Sequence, residues 1–93
     1  MSDVFDALAH PVRRKILKLL RKGAMSAGNL ADAFELAKPT LSGHFAMLKA
    51  ADLVTTERQG TTILYRLNMS VLEEAAAAVL DLAGARGPKE SKS

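Results

Sequence analysis

The residues of this 93-residue chain that carry recognition chemistry gather mainly in one stretch, Lys38, Thr40, Ser42, Gly43 and His44. The hydroxyls of Thr40 and Ser42 can donate to or accept from base edges and phosphate oxygens, and a threonine methyl can pack on a thymine methyl. Lys38 adds a cation. None of the five is a bidentate reader such as arginine on guanine, so readout is expected to lean on the shape of a DNA site and on bridging water. Gly43 either lets the backbone approach DNA closely or makes no side-chain contact; in a helix it costs about 1 kcal/mol relative to alanine. His44 stands between the apolar and polar sides of the stretch and suits a groove contact or a half-buried packing role. Arg13, Arg14 and Arg58 complete the phosphate candidates. Each is alternatively a solvated charge, and Arg58 equally an edge-strand charge that discourages sheet-to-sheet pairing.

Other chemistries find little support. No Ser, His and acid set, paired-carboxylate spacing or glycine-rich phosphate loop is visible, so an enzyme is not expected. Cysteine is absent, which excludes disulfides and thiolate metal sites, and the only imidazoles are His10 and His44. No metal or cofactor is expected. The net charge of +3 suits an anionic partner without identifying one. Its distribution says more: Arg13, Arg14, Lys15, Lys18, Arg21 and Lys22 follow His10 with no acid among them, while Asp3, Asp6, Glu73, Glu74 and Asp81 lie near the ends. The lack of a long apolar run or a signal-peptide pattern predicts a soluble cytoplasmic protein with no membrane segment.

The elements that would position these residues follow from periodicity. From Lys38, Leu41, Phe45 and Leu48 recur at helical spacing and give a helix with a buried back; Pro39 opens it where an N–H has no partner anyway. A DNA major groove, about 12 Å wide, admits such a helix. Before it, Ser26 and Asn29 resemble an N-cap with an imperfect capping box, and Leu30, Ala33 and Phe34 give a short helix. Helix, short turn and second helix make a helix-turn-helix. Upstream, Val4, Phe5 and Leu8 predict a brief first helix broken at His10-Pro11. Pro11 opens a second helix to Lys22, with Val12, Ile16, Leu19 and Leu20 as its stripe and Gly23 ending it. After Asp52 the period changes from 3.6 to 2, and two β-rich runs around Gly60 predict a hairpin with Arg58 and Arg66 as its cations.

From Met69 a last helix runs to about Ala83, and its apolar residues cover more of the circumference than one packing face requires. One side can lie on its own domain and the other on a second copy. Leu72, Ala76, Val79, Leu80 and Ala83 are the dimerisation candidates there. Residues 1–85 are expected to form one domain, mainly α with a β-hairpin wing in the order α-α-α-α-β-β-α, and 86–93 a disordered tail.

In FDALAHPVRRKILKLL, MSAGNLADAFELAKPTLSGHFAMLKAADLV and RQGTTILYRLN the chain resembles the ArsR family of bacterial winged-helix regulators, most closely its autorepressor branch of SdpR-like proteins. The resemblance implies a homodimer assembled through its first and last helices, adding Val4, Phe5 and Leu8 to the candidates above. It implies an inverted-repeat operator in double-stranded DNA and repression of transcription, often of the protein's own operon. The metal ligands of the resembling sensors are missing here, and Gly43 stands where the family tends to have a larger polar residue. Release from DNA is expected to depend on protein concentration, a regulatory protein or a small-molecule effector. The competing expectation is a winged helix turned into a protein-binding module, with Gly43 reflecting lost base reading.

Overall fold

The computed structural model describes residues 4–84. In chain order the elements are α1 (Val4–Leu8), α2 (Pro11–Leu20), β1 (Met25–Ser26), α3 (Ala27–Asp32), α4 (Lys38–Ala50), β2 (Val54–Gln59), β3 (Thr62–Leu67) and α5 (Met69–Leu82). This is a winged helix-turn-helix: α3 and α4 form the motif and β2–β3 the wing. The expected tail, 86–93, lies outside the described residues.

Local chemistry starts the helices as their sequences suggest. His10 is extended, and its Nδ1 accepts the Val12 N–H at 3.1 Å, so an imidazole caps α2 ahead of Pro11. Ser26 Oγ accepts the Asn29 N–H at 3.0 Å and caps α3, the Ser half of a capping box. For α4 no side chain caps the start; Ala37 is extended and proline occupies the first turn. Two helices stop earlier than expected. α2 ends at Leu20 with Arg21 as its C-cap, and Lys22 and Gly23 close onto Leu19 and Leu20 through tighter turns. α3 ends at Asp32, its last turn tightening as Ala33 and Phe34 bond back to Leu30 and Ala31.

At the end of α4 the Leu53 N–H reaches the Leu48 carbonyl and the Asp52 N–H the Lys49 carbonyl, each at 3.0 Å. That pair of bonds is a Schellman cap, with Leu53 and Leu48 both fully buried as its apolar contact. The left-handed position within it, normally given to glycine, is held by Asp52 at φ 61°. Asp52 therefore closes the helix and is not a member of its apolar stripe.

The sheet has the order β1-β3-β2, all antiparallel. β1 was not expected: two residues, Met25 opposite Tyr65 and Ser26 opposite Leu64, are too few to show a period. Gln59 faces Thr62 across a two-residue turn whose first residue, Gly60, has φ 66°, the conformation that a glycine-first hairpin turn requires.

One core joins these parts. Ile16, Leu17 and Leu20 of α2, Leu30 of α3, Leu41, Phe45 and Leu48 of α4, and Leu53 and Val54 leading into β2 are buried together with Ala7 and Ala51. In α2 this corrects the expected stripe: Leu17 is buried, whereas Val12 and Leu19 are only half-buried at its margin. The buried face is rotated toward Arg13. α5 stands apart, since Ala75 is the one buried residue among its fourteen.

Candidate nucleic-acid interface

With Leu41, Phe45 and Leu48 buried, the 3.6-residue turn fixes what α4 shows outward. Directly opposite the core lie Pro39, Gly43, Ala46 and Ala50, all exposed and all small or compact. Lys38, Ser42 and Lys49 flank this strip on the side of the wing; Thr40 and Met47 flank it on the other, with half-buried His44 behind them. The expected cluster therefore divides. Thr40 and Ser42, though both exposed, stand on opposite flanks because two residues advance a helix by roughly 200°. A cβ added at Gly43 would meet no atom within 4 Å, so neither packing nor backbone conformation calls for glycine there.

Between the Lys38 flank and the wing runs a groove. A cavity of ≈150 Å³ is lined by Gly28 and Ala31 of α3, Lys38, Ser42 and Phe45 of α4, and Tyr65 of β3. Tyr65 stacks on Phe45 with ring centroids 4.8 Å apart, so β3 is seated on the back of α4. The groove continues past Ala46 to Lys49. Sequence reasoning missed Lys49 and Ala46; the spacing that relates Lys38 to Ser42 and Lys49 was the available signal.

The wing sorts its two arginines. Paired residues in a ladder share a face, so Arg58 lies with Ile63, Thr56 and Tyr65 on the face turned toward α4. Arg66 and Glu57 lie on the opposite face, where Arg66 Nη2 meets Glu57 Oε1 at 3.0 Å and Nε donates to the same oxygen at 3.1 Å. Hydrogen bonds from Arg66 and then Gln59, together with the Arg66 charge, hold the Glu57 carboxyl below its ordinary range. Arg58 has only a 3.5 Å contact from Nη1 to the Gly60 carbonyl and is otherwise exposed.

Arg13 is half-buried and all three of its guanidinium nitrogens have partners within the protein. Its Nε donates to the Ala7 carbonyl at 2.8 Å, one Nη to the Asp6 carbonyl at 2.9 Å, and the other lies 3.2 Å from His44 Nδ1. An arginine only donates, so this nitrogen of His44 accepts and the ring is neutral in this arrangement. The His10 and His44 rings are 4.5 Å apart. Burial pushes the His44 imidazole below its ordinary value, and the nearby His10 and Arg13 charges push it further. Arg14 is exposed, with one bond from its Nη1 to the Leu8 carbonyl at 2.8 Å. The two arginines thus bond the carbonyls at the end of α1, of which that of Asp6 also accepts the Ala9 N–H. The reason Arg13 turns inward is the rotation of α2: it lies on the same side as Ile16, Leu17 and Leu20.

Among the described residues no group of three or more His, Cys, Asp or Glu side chains comes together in a way that could hold a metal ion. No described helix is long and apolar enough to cross a membrane.

Residues 8–57 match a family described as a helix-turn-helix domain. The transcriptional repressor SdpR of Bacillus subtilis is 44% identical over 75 residues, spanning 81% of this chain and 83% of that protein. The arsenical resistance operon repressor of Staphylococcus xylosus is 37% identical over 73 residues, 78% of this chain and 70% of its own length. This chain belongs to the ArsR family of winged-helix regulators. Its ArsR fold is also seen in a crystal structure described as a possible transcriptional regulator for arsenical resistance. That structure matches with a TM-score of 0.81 at 30% identity, over 88% of this chain and 85% of the other.

The dimerisation candidates lie on α1 and along α5 to its C-cap, Ala83. Phe5 of α1 and Val79 and Leu80 of α5 are exposed to 55%, 49% and 47%, and neighbouring Leu82 to 87%. Ala76 and Ala83 are exposed, while Val4, Leu8 and Leu72 are half-buried against the core of their own chain.

Proposed function

We propose that this ArsR-family chain is a DNA-binding transcriptional repressor that works as a cytoplasmic homodimer on an inverted-repeat operator, without a metal cofactor and without catalytic activity. The observation that carries the reading is the outward strip of α4, Pro39, Gly43, Ala46 and Ala50, which is bare and narrow between flanks that carry Lys38, Ser42 and Lys49 on one side and Thr40 and Met47 on the other. A helix with such a front enters a major groove deeply, and the flanking Thr40, Ser42, Lys38 and Lys49 then meet base edges and the groove walls. Arg58, on the α4 side of the wing, meets a phosphate. Arg13 and His44 hold α4 against α1 and α2, and Arg14 is a peripheral phosphate contact. Homodimerisation is supported by the exposed Val79, Leu80 and Leu82 of α5, whose apolar side chains have no cover within their own chain. The absence of cysteine and the engagement of His10 and His44 within the protein support metal independence. The likeness to SdpR supports control of the protein's own operon.

Fluorescence anisotropy with DNA from upstream of the protein's own gene, against a shuffled duplex at two salt concentrations, tests this. The expected result is binding to the native duplex tighter by ~10³-fold or more, weakening with salt. Equal weak binding to both duplexes argues against autorepression, and unchanged affinity in a Thr40→Ala/Ser42→Ala variant would favour a protein-binding module.

A further inference from the structure

We propose that the cleft between α1, α2 and α5 binds a small amphipathic anion, of which an alkyl carboxylate is the simplest member. Its volume is ≈290 Å³, at the small end of the ~300–1,000 Å³ common for ligand sites. The floor is apolar, made by buried Leu17 of α2 and half-buried Leu8 and Leu72 of the two neighbouring helices. The rim is basic. Arg14 and Lys18 of α2 and its C-cap Arg21 recur at i, i+4 and i+7, share one face, and all line the cleft.

Those cations are uncompensated. No acidic residue lines the cleft, and the single salt bridge among the described residues is on the wing. Arg14 has one internal bond, to the Leu8 carbonyl, which leaves most of its donors open. An apolar guest alone would cover the three leucines and leave the cations as they are; a bare phosphate would meet the cations and leave the leucines wet. A short alkyl chain ending in a carboxylate satisfies both, burying its tail on the floor and placing its charge at the rim. DNA is a poor occupant of the apolar floor: no residue of α4 or the hairpin lines the cleft, and Arg14 at its rim is the one side chain shared with the proposed phosphate contacts. Leu8 and Leu72 also border the proposed dimer surface, so occupancy would be felt by assembly; that consequence rests on the homodimer reading, whereas binding does not.

Isothermal titration calorimetry of the full chain without DNA tests the site, using sodium decanoate below its micellar concentration, decanol and inorganic phosphate. One saturable decanoate site per chain is expected, with decanol and phosphate each weaker by roughly tenfold or more. The exposed pair Lys18→Gln/Arg21→Gln should weaken decanoate about tenfold while circular-dichroism melting stays unchanged. No saturable decanoate binding, equal binding of decanoate and decanol, or wild-type binding by the double variant would each overturn the proposal. If decanoate fails to bind and the double variant instead shifts the monomer–dimer equilibrium in sedimentation, a second copy fills the cleft. The proposal then falls while the DNA-binding reading, measured separately by anisotropy, stands.

Discussion

Arg13 bridges from the carbonyls of Asp6 and Ala7 at the end of α1 to His44 Nδ1 on α4, 3.2 Å away, and so ties the two N-terminal helices to α4. A side chain expected at the phosphate surface is instead an internal brace, and this separates two arginines that look alike in sequence.

Arg13→Ala should therefore differ from Arg58→Ala in kind. Loss of the brace leaves acceptors without donors and should lower stability by about 1–3 kcal/mol, read as a fall in unfolding midpoint, with the salt dependence of DNA binding unchanged. Arg58→Ala should leave the melt alone and reduce the slope of log K against log salt by about one, since one phosphate contact releases one counterion. Equal slopes for the two variants would contradict the assignment.

The neutral His44 that accepts from Arg13 makes stability depend on pH with a definite sign. Its folded-state value is depressed below the ordinary 6.5 by burial, then by His10 and Arg13, so the unfolded chain takes up its proton first. Where the unfolded state binds more protons, stability rises with pH. The contribution is thus complete above the ordinary histidine value and is lost as pH falls from there through the folded value. Melting temperatures from about pH 5 to 8 should rise across the histidine range. His44→Gln, whose amide oxygen still accepts from Arg13, should flatten that rise, and a variant as steep as the wild type would exclude His44 as the source.

Asp52 occupies the left-handed position of the α4 cap at φ 61°, where a side chain crowds the backbone. Asp52→Gly should stabilise the fold by about 0.5–1 kcal/mol, which for a domain of this size raises the melting temperature by roughly 2–8 °C. Differential scanning calorimetry would show it; a lower midpoint would mean that the carboxylate makes a compensating interaction.

Leu80→Asp puts a charge on the exposed apolar surface of α5 without touching the domain's own core. Light scattering should then report the monomer, and affinity for a two-half-site operator should fall far more than affinity for a single half-site. An unchanged mass would move the dimer contact elsewhere.

The parts of the fold legible in the sequence are those dictated locally. Ser26 caps, Pro11 and Pro39 open helices, Gly60 turns the hairpin, and Leu41, Phe45 and Leu48 mark the back of α4, because each depends on neighbours within a turn or two. What escaped was set by distant partners. β1 exists because β3 offers it a ladder, Leu17 is buried because α2 is rotated against α1, α4 and β3, and that rotation is also what turns Arg13 toward His44. The candidate surface was legible as a stretch and not as a geometry. Naming Thr40, Ser42, Gly43 and His44 together overlooked that a helix turns between them, and the same turn brings in Lys49, whose side-chain type alone gave it no prominence.

The open space around Gly43 bears on how freely that position can vary. The position facing farthest from the core is also one that no internal neighbour constrains, and replacing its glycine by an ordinary helix former improves helix propensity by up to about 1 kcal/mol. On the proposed DNA-binding reading, a side chain added there would project into the groove while bringing a small gain in stability rather than a loss.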